Sequence, residues 1–503
     1  MTARALTLTR RPALVMSVAA VGVAMLAAAV VAGAPPPLLL GVFGIVALAA
    51  ALARPEFVAP TIVFLLFLDV PGVAVKKYGA PPIIAAFMIA ALVIPVADVV
   101  LRGGRIRLGW PVGLVTGFFL VQFAAALASR ESAVALSQLT PFLLEGLLLT
   151  VLIINAVRSV VTLERCLWAM LAAGGLLGAV SVFQQVTSTF DRPYGGFALV
   201  PKEYLRGLDA QARLSGPLGD PNYYAQILVT VIPIGMVLLR TAPPRRRMLA
   251  IAATVAALGG VVLSYSRGAI LALGLMVALA AAFRLVKASH VMLVMAVLAV
   301  GIAVVPSYRD RVLSIGSGVT GATKSAGSTG AADQAVLGRA GEMAAAALVF
   351  EDHPLIGVGP GVFPFYYQQY VQRLGLEAHT KDKVGANKGE TPTRVAHNIF
   401  LSVAAELGLA GLAVFLALIG TVMFRLGRIR RRLIGTDPRL AWLAAALLLA
   451  VAGYLTAGLF LTLAFERYFW TLIALAGAVV AIAATTADGR GETAPAAGTP
   501  RAR

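Results

Sequence analysis

Apolar segments long enough to cross a lipid bilayer recur along most of the chain. They lie at about 13–33, 36–53, 57–75, 82–101, 109–128, 139–157, 163–185, 222–240, 247–265, 268–284, 289–306, 397–424, 439–463 and 468–485. About 20 apolar residues of helix cover the hydrocarbon core, where each segment has to satisfy its own backbone polar groups. A chain built from such segments folds as helices packed side by side. Composition agrees, with 59% hydrophobic residues, 13% charged and a mean hydropathy of +0.87. That is too little charge to cover a soluble domain. The expected fold class is therefore an all-α polytopic integral membrane protein. It has about 12–14 transmembrane helices and a large extracytoplasmic loop containing short helices.

The formal net charge is +19, which in a soluble protein would suggest nucleic-acid binding. Here the basic residues cluster in short connections, where they report orientation against the bilayer, and no nucleic-acid partner is expected. If residue 1 is cytoplasmic, every second connection should be basic. Arg54, the 101–107 stretch LRGGRIR, Arg158 with Arg165, the RTAPPRRR run at 240–247, RLVK at 284–287 and RLGRIRRR at 425–432 all follow that alternation. The N-terminus resembles a signal peptide, but its apolar run of about 20 residues is long for one, and the alternation requires it to be kept. The expected placement is multi-pass in the plasma (inner) membrane with both termini cytoplasmic, surrounded by membrane lipids. The lone Cys166 excludes an internal disulfide and a cysteine metal cluster.

Four sections follow from this pattern: N-terminal helices at 1–185, a core at 186–425, C-terminal helices at 426–485, and an Ala/Thr/Gly-rich tail at 486–503 that reads as disordered and cytoplasmic. Two outside connections in the core, 186–221 and 307–396, are too long to be mere links. Within the second, Val336 to Glu351 is rich in strong helix formers, 353–363 reads as a Gly/Pro turn, and 365–376 mixes aromatic and polar residues as an interfacial helix does.

The chain has four histidines, and only His397, paired with Asn398, closes a polar loop and opens an apolar segment. Arg267 sits between two apolar runs on the expected outer face, with Gly268 available for a tight reversal. It either snorkels to headgroups or faces an anion. Arg339 lies one turn before Glu342 on the expected loop helix, which suits a surface ion pair as well as a ligand contact. Arg213 precedes Asp220, which can cap a helix opened by Pro221. Several arginines and one histidine on one membrane face suit a substrate with a diphosphate and an acceptor hydroxyl. Guanidinium groups bind phosphate bidentately, and a neutral imidazole can take the hydroxyl proton. His397 is thus the catalytic candidate, and Arg267, Arg339, Arg213 and Asn398 are the substrate-binding candidates. Asp69, Glu145 and Glu406 within or near apolar runs suit ion coupling or helix–helix hydrogen bonds. No paired-aspartate metal motif, P-loop or Gly-x-Ser-x-Gly elbow is present, so neither a metal nor another cofactor is expected.

Three blocks, LSYSRGAI at 263–270, GRAGEMAAAALVFEDHPLIGVGPGVF at 338–363 and AHNIFLSVAAELGLAGL at 396–412, resemble in order and spacing the shared core of the O-antigen ligase and polymerase superfamily. The likeness spans roughly 205–425, with DPNYYA at 220–225 as a weaker match. It implies a metal-independent, inverting glycosyltransferase of cell-envelope polysaccharide synthesis. Such an enzyme takes a glycan from a lipid-linked oligosaccharide donor, carried on polyprenyl (undecaprenyl) diphosphate, and passes it to a glycan, lipid or protein acceptor. By the same resemblance, Arg267 and Arg339 would bind the diphosphate and His397 would activate the acceptor hydroxyl. About fourteen spans exceed the roughly twelve of the ligases. The competing classes are a secondary transporter or flippase for lipid-linked sugars or small anions, and a non-catalytic scaffold.

Overall fold

The computed structural model describes residues 51–205, 212–282, 331–375, 394–462, 464 and 466–491. The expected spans at 13–33 and 289–306, and nearly all of 36–53, lie outside these residues. The helices, in chain order, are α1 (Val58–Phe67), α2 (Val70–Tyr78), α3 (Ile84–Leu101), α4 (Trp110–Ala128), α5 (Ser132–Ala156), α6 (Val160–Val186), α7 (Pro221–Thr241), α8 (Pro244–Leu263), α9 (Arg267–Ala282), α10 (Ala331–Asp352), α11 (Phe363–Arg373), α12 (Ile399–Leu433), α13 (Pro438–Gly458) and α14 (Arg467–Gly491). Nine of them among the described residues are long and apolar enough to cross a membrane. The pair α1 and α2, bent by 51°, makes a tenth if counted as one span. The all-α polytopic fold is therefore present. The only extended pairing among the described residues is one bridge between Leu199 and Gly216.

Helices α7 and α13 run through the middle of the bundle and are buried on nearly every face. Close approach there depends on small residues. On α6, Gly174 faces Val231 of α7, while Gly175 and Gly178 lie against the α8 backbone near Ala253 and Ala256, leaving no room for a side chain. Small residues four apart are the usual route to tight helix packing in lipid, where dispersion contacts must hold helices together.

Contacts sort the charged connections by end. At one end the Arg158 guanidinium donates to the Arg105 carbonyl at 2.6 Å, and Arg439 pairs with Glu164. There too Arg165, Arg240 and Arg425 lie over the rings of Phe57, Trp442 and Trp110 at 4.4, 5.1 and 5.0 Å. Arg105, Arg158, Arg165, Arg240 and Arg425 are among the residues expected on the cytoplasmic side; RLVK at 284–287, expected there too, lies outside the described residues. The opposite end carries the long connections.

Two breaks shape that opposite end. Asp69, in a left-handed conformation (φ +59°), ends α1 and turns the chain into α2. Its carboxylate is buried and accepts from Arg467 at 2.7 Å, while Glu145 accepts from the same guanidinium at 3.0 Å. Glu145 sits in a π-helical stretch, Leu143–Leu148, that interrupts α5. Asp69 and Glu145 are thus used in tying α1, α5 and α14 together.

The second break is in α12. Gly408 has φ +62° and ψ −162°, a region open only to glycine, so Ile399–Leu407 turns away from the rest of the helix. The 353–363 turn docks against this break. Val358 and Gly359 donate to the carbonyls of Ala405 and Glu406 at 3.1 and 2.9 Å, and Leu409 and Ala410 donate to those of Pro354 and Leu355 at 2.7 and 3.1 Å. A Cβ on Gly408 would meet the backbone of Leu355 and Ile356. Gly408→Ala should therefore cost about 3 kcal/mol or more from strain and overpacking. Gly420→Ala, where a Cβ meets nothing, should be neutral or slightly stabilising. Thermal unfolding of the two purified variants checks the contrast.

Three sequence expectations need adjustment. The reversal before α9 is made by Ser264 to Ser266, with Tyr265 at φ +52°. Gly268 is already helical, where it lets the Phe460 ring lie close. The aromatic face of α11 (Phe363, Tyr367 and Tyr370) is buried in a small core with α10, so protein covers it. Finally, α14 continues as helix to Gly491, past the expected start of the tail.

Candidate functional site

Asn398 starts α12. Its side-chain oxygen accepts from the Phe400 and Leu401 amides at 2.9 and 3.0 Å, which caps the helix. Its side-chain nitrogen donates to the Leu459 carbonyl at 3.2 Å, pinning the helix start to the end of α13. Both halves of the amide are occupied, so Asn398 holds its neighbour in place.

That neighbour is His397, at φ +49°. Such a conformation is uncommon for a residue with a side chain and persists only where the surroundings impose it. Nδ1 lies 2.6 Å from Glu342 Oε2 and 3.1 Å from the Val395 carbonyl. Two acceptors at Nδ1 assign the ring proton to that nitrogen and leave the Nε2 lone pair available. The imidazole is 22% exposed and Glu342 only 4%. The other carboxylate oxygen accepts from Arg394 at 2.8 Å, and that guanidinium lies 5.5 Å from the centre of the Tyr367 ring.

Burial pushes the Glu342 carboxyl up, but hydrogen bonds from His397 and then Arg394, with their charges, outweigh it and hold it below the usual carboxylate range. A lowered pKa means that the stability it contributes is complete above about pH 4.3, its unfolded value, and is lost as pH falls through the lower folded one. Glu342 is therefore ionised at neutral pH. The expected surface pair with Arg339 does not form: α10 turns Glu342 inward, where His397 and Arg394 take both oxygens.

The other candidates lie at the same end. Arg213 donates from Nε to the Ser264 carbonyl and from Nη2 to Asn222 Oδ1, both at 3.2 Å, joining its loop to the turn that carries Arg267. Asp220 caps α7 as expected, accepting from Asn222 and Tyr223 at 2.7 and 3.1 Å. Arg339 and Glu342 are within electrostatic range of the Tyr223 hydroxyl, as are Asp220 and Glu466. The turn of Arg267 and that of His397 are linked through the end of α13: Phe460 packs on Gly268, and the Leu459 carbonyl holds Asn398. The structure thus joins His397 to Asn398, and Arg213 to the Arg267 turn, while Arg339 stands on the helix that supplies Glu342. Sequence reading missed Arg394 and the inward role of Glu342. The available signal for Arg394 was its place three residues before His397.

These features define a polytopic all-α membrane protein with a carboxylate-held histidine and several arginines at one end of its bundle. Residues 252–416 match the family model for O-antigen ligase, and this stretch contains all three resembling blocks and His397, Glu342 and Arg267. The match is consistent with the O-antigen ligase superfamily and supports a ligase- or polymerase-type membrane enzyme of polysaccharide biosynthesis. Arg213 lies outside the matched stretch. No curated protein matches the chain.

Proposed function

We propose that this protein is an inverting, metal-independent glycosyltransferase. It moves a glycan from a polyprenyl diphosphate carrier to an acceptor hydroxyl on the outer face of the plasma membrane. The observation that carries this reading is the Glu342–His397 pair, in which the contact at Nδ1 makes Nε2 the ring nitrogen that can take a proton, at the end of the bundle where the arginines gather. The acceptor oxygen bonds to the anomeric carbon as the bond from that carbon to the diphosphate oxygen breaks. The electron pair leaves on the diphosphate, and the hydroxyl proton passes to Nε2. Attack opposite the leaving group inverts the anomeric centre. Glu342 steadies the imidazolium that forms.

Arg267, Arg339 and Arg213 hold the diphosphate and stabilise the charge it gains. Of these, Arg267 opens α9, on the stretch that matches the ligase family. Lysine at 267 keeps the charge but loses the two-pronged fork, so Arg267→Lys should lower the transfer rate roughly tenfold to a hundredfold. Wild-type transfer rates would remove this role from Arg267. The anomeric configuration of the product, read by NMR against that of the donor, tests the reading as a whole: inversion fits one displacement, and retention contradicts it.

The transporter reading drew on membrane carboxylates. Two of the three, Asp69 and Glu145, are held by Arg467, so helix tying accounts for them.

A further inference from the structure

A cavity of about 390 Å³ opens beside the segment that leads into His397 and reaches down between α4, α5, α7, α12 and the start of α14. Its wall includes Gln122, Tyr223, Arg394, Glu406, Thr462 and Glu466. The size falls within the range of small-molecule sites, about 300–1,000 Å³. Gln122 lies six residues from the outer end of α4, roughly 9 Å below it at helical rise.

Gln122 is the informative residue. It is 0% exposed, and neither its amide nitrogen nor its amide oxygen has a hydrogen-bond partner among the described residues. The Thr462 hydroxyl, on the same wall, also lacks one. Buried polar groups are kept only where something bonds to them. An amide and a hydroxyl in the wall of one cavity supply donors and acceptors together. Glu406 adds a carboxylate fixed by the backbone N–H groups of Gly361 and Phe363, with lone pairs left over.

Charge narrows the ligand. Among the described residues, three carboxyl groups, of Glu145, Glu406 and Glu466, line the cavity; Glu145 is engaged by Arg467, and the one lining cation, Arg394, is engaged by Glu342. Such a wall offers a diphosphate no unengaged cation among the described residues. It suits an uncharged ligand rich in hydroxyl groups, each of which donates to an amide or carboxylate oxygen and accepts from an N–H or O–H. Phe142 and Phe363 on the wall give such a ring an apolar face to lie against.

We propose that this cavity binds one neutral sugar ring of a reacting glycan, with Gln122 and Thr462 reading its hydroxyls. Its place in transfer rests on the glycosyltransferase reading above; the binding itself does not. The ring belongs either to the acceptor or to the sugar on the carrier.

The test uses the full-length protein in nanodiscs, with glucose, galactose, mannose and N-acetylglucosamine as probes and glucuronate as the charged control, measured by equilibrium dialysis without donor. At least one neutral sugar should bind and glucuronate should not, and Gln122→Leu and Thr462→Val should each weaken binding fivefold or more. No neutral sugar binding to wild type, or full binding by both folded variants, overturns the proposal. In transfer assays, a raised apparent KM confined to the acceptor assigns the ring to the acceptor, and one confined to the lipid-linked donor assigns it to the donor. Unchanged KM for both overturns the proposal while leaving the transferase reading intact. Sugar binding that depends on Gln122 in a protein without transfer activity upholds the cavity and removes that reading.

Discussion

Replacing His397 by alanine should lower glycan transfer by about 10²–10⁴-fold, the range general-base catalysis supplies. The residue is well isolated for such a test. Nδ1 is committed to Glu342 and the Val395 carbonyl, so the free ring nitrogen is Nε2. Alanine at φ +49° carries a conformational cost of its own, which could be mistaken for a catalytic one. His397→Asn separates the two, because asparagine tolerates the left-handed region but cannot take a proton at neutral pH. Both variants should bind the lipid-linked donor and keep the wild-type elution profile in detergent, and both should fail in transfer. A His397→Asn enzyme with near-wild-type turnover would show that no base acts at this position.

Glu342→Gln should be nearly as severe, at roughly 10²–10³-fold in turnover, for a reason specific to this hydrogen-bond arrangement. Arg394 can only donate, and it sits 2.8 Å from one carboxylate oxygen. In the glutamine variant the amide oxygen turns to Arg394, and the amide NH₂ then faces His397. The imidazole has to present its lone pair at Nδ1 and carry its proton on Nε2, the wrong nitrogen for a base. Loss of the carboxylate charge also removes the stabilisation of the imidazolium. A tautomer shift in the ¹⁵N resonances of His397 is the signature to look for. Retained Nδ1–H with full activity would make Glu342 a structural residue only.

How much of this was legible beforehand follows from which forces act locally. The spans could be read because lipid demands long apolar helices wherever the backbone crosses, so α4, α6, α7, α8 and α13 fall close to their expected bounds. The cap at Asp220 could be read because it involves neighbours in sequence. The break in α12 could not. Its apolar pattern runs on through Gly408, and the turn that makes the break favourable comes from 353–363.

The site shows the same division. His397 stood out as a scarce polar residue at the mouth of an apolar helix, whereas its partner did not. Glu342 has Arg339 one helical turn away, and helix geometry alone favours that pair. Only tertiary packing turns Glu342 to face His397 and Arg394, from 55 and 52 positions along the chain (397 − 342 and 394 − 342). Gln122 is a polar residue within the apolar run at 109–128, and the cavity beside it gives it a role.

The central claim is that the protein breaks the bond between a glycan and its lipid diphosphate. The most direct measurement is release of polyprenyl diphosphate from a lipid-linked oligosaccharide by the purified protein in liposomes, with acceptor and a chelator present and His397→Ala alongside. Release by wild type and not by the variant is the predicted result, and the new linkage in the product then distinguishes ligase from polymerase. If neither protein releases the carrier and the lipid-linked sugar instead changes leaflet, the molecule is a transporter and the transferase account is wrong.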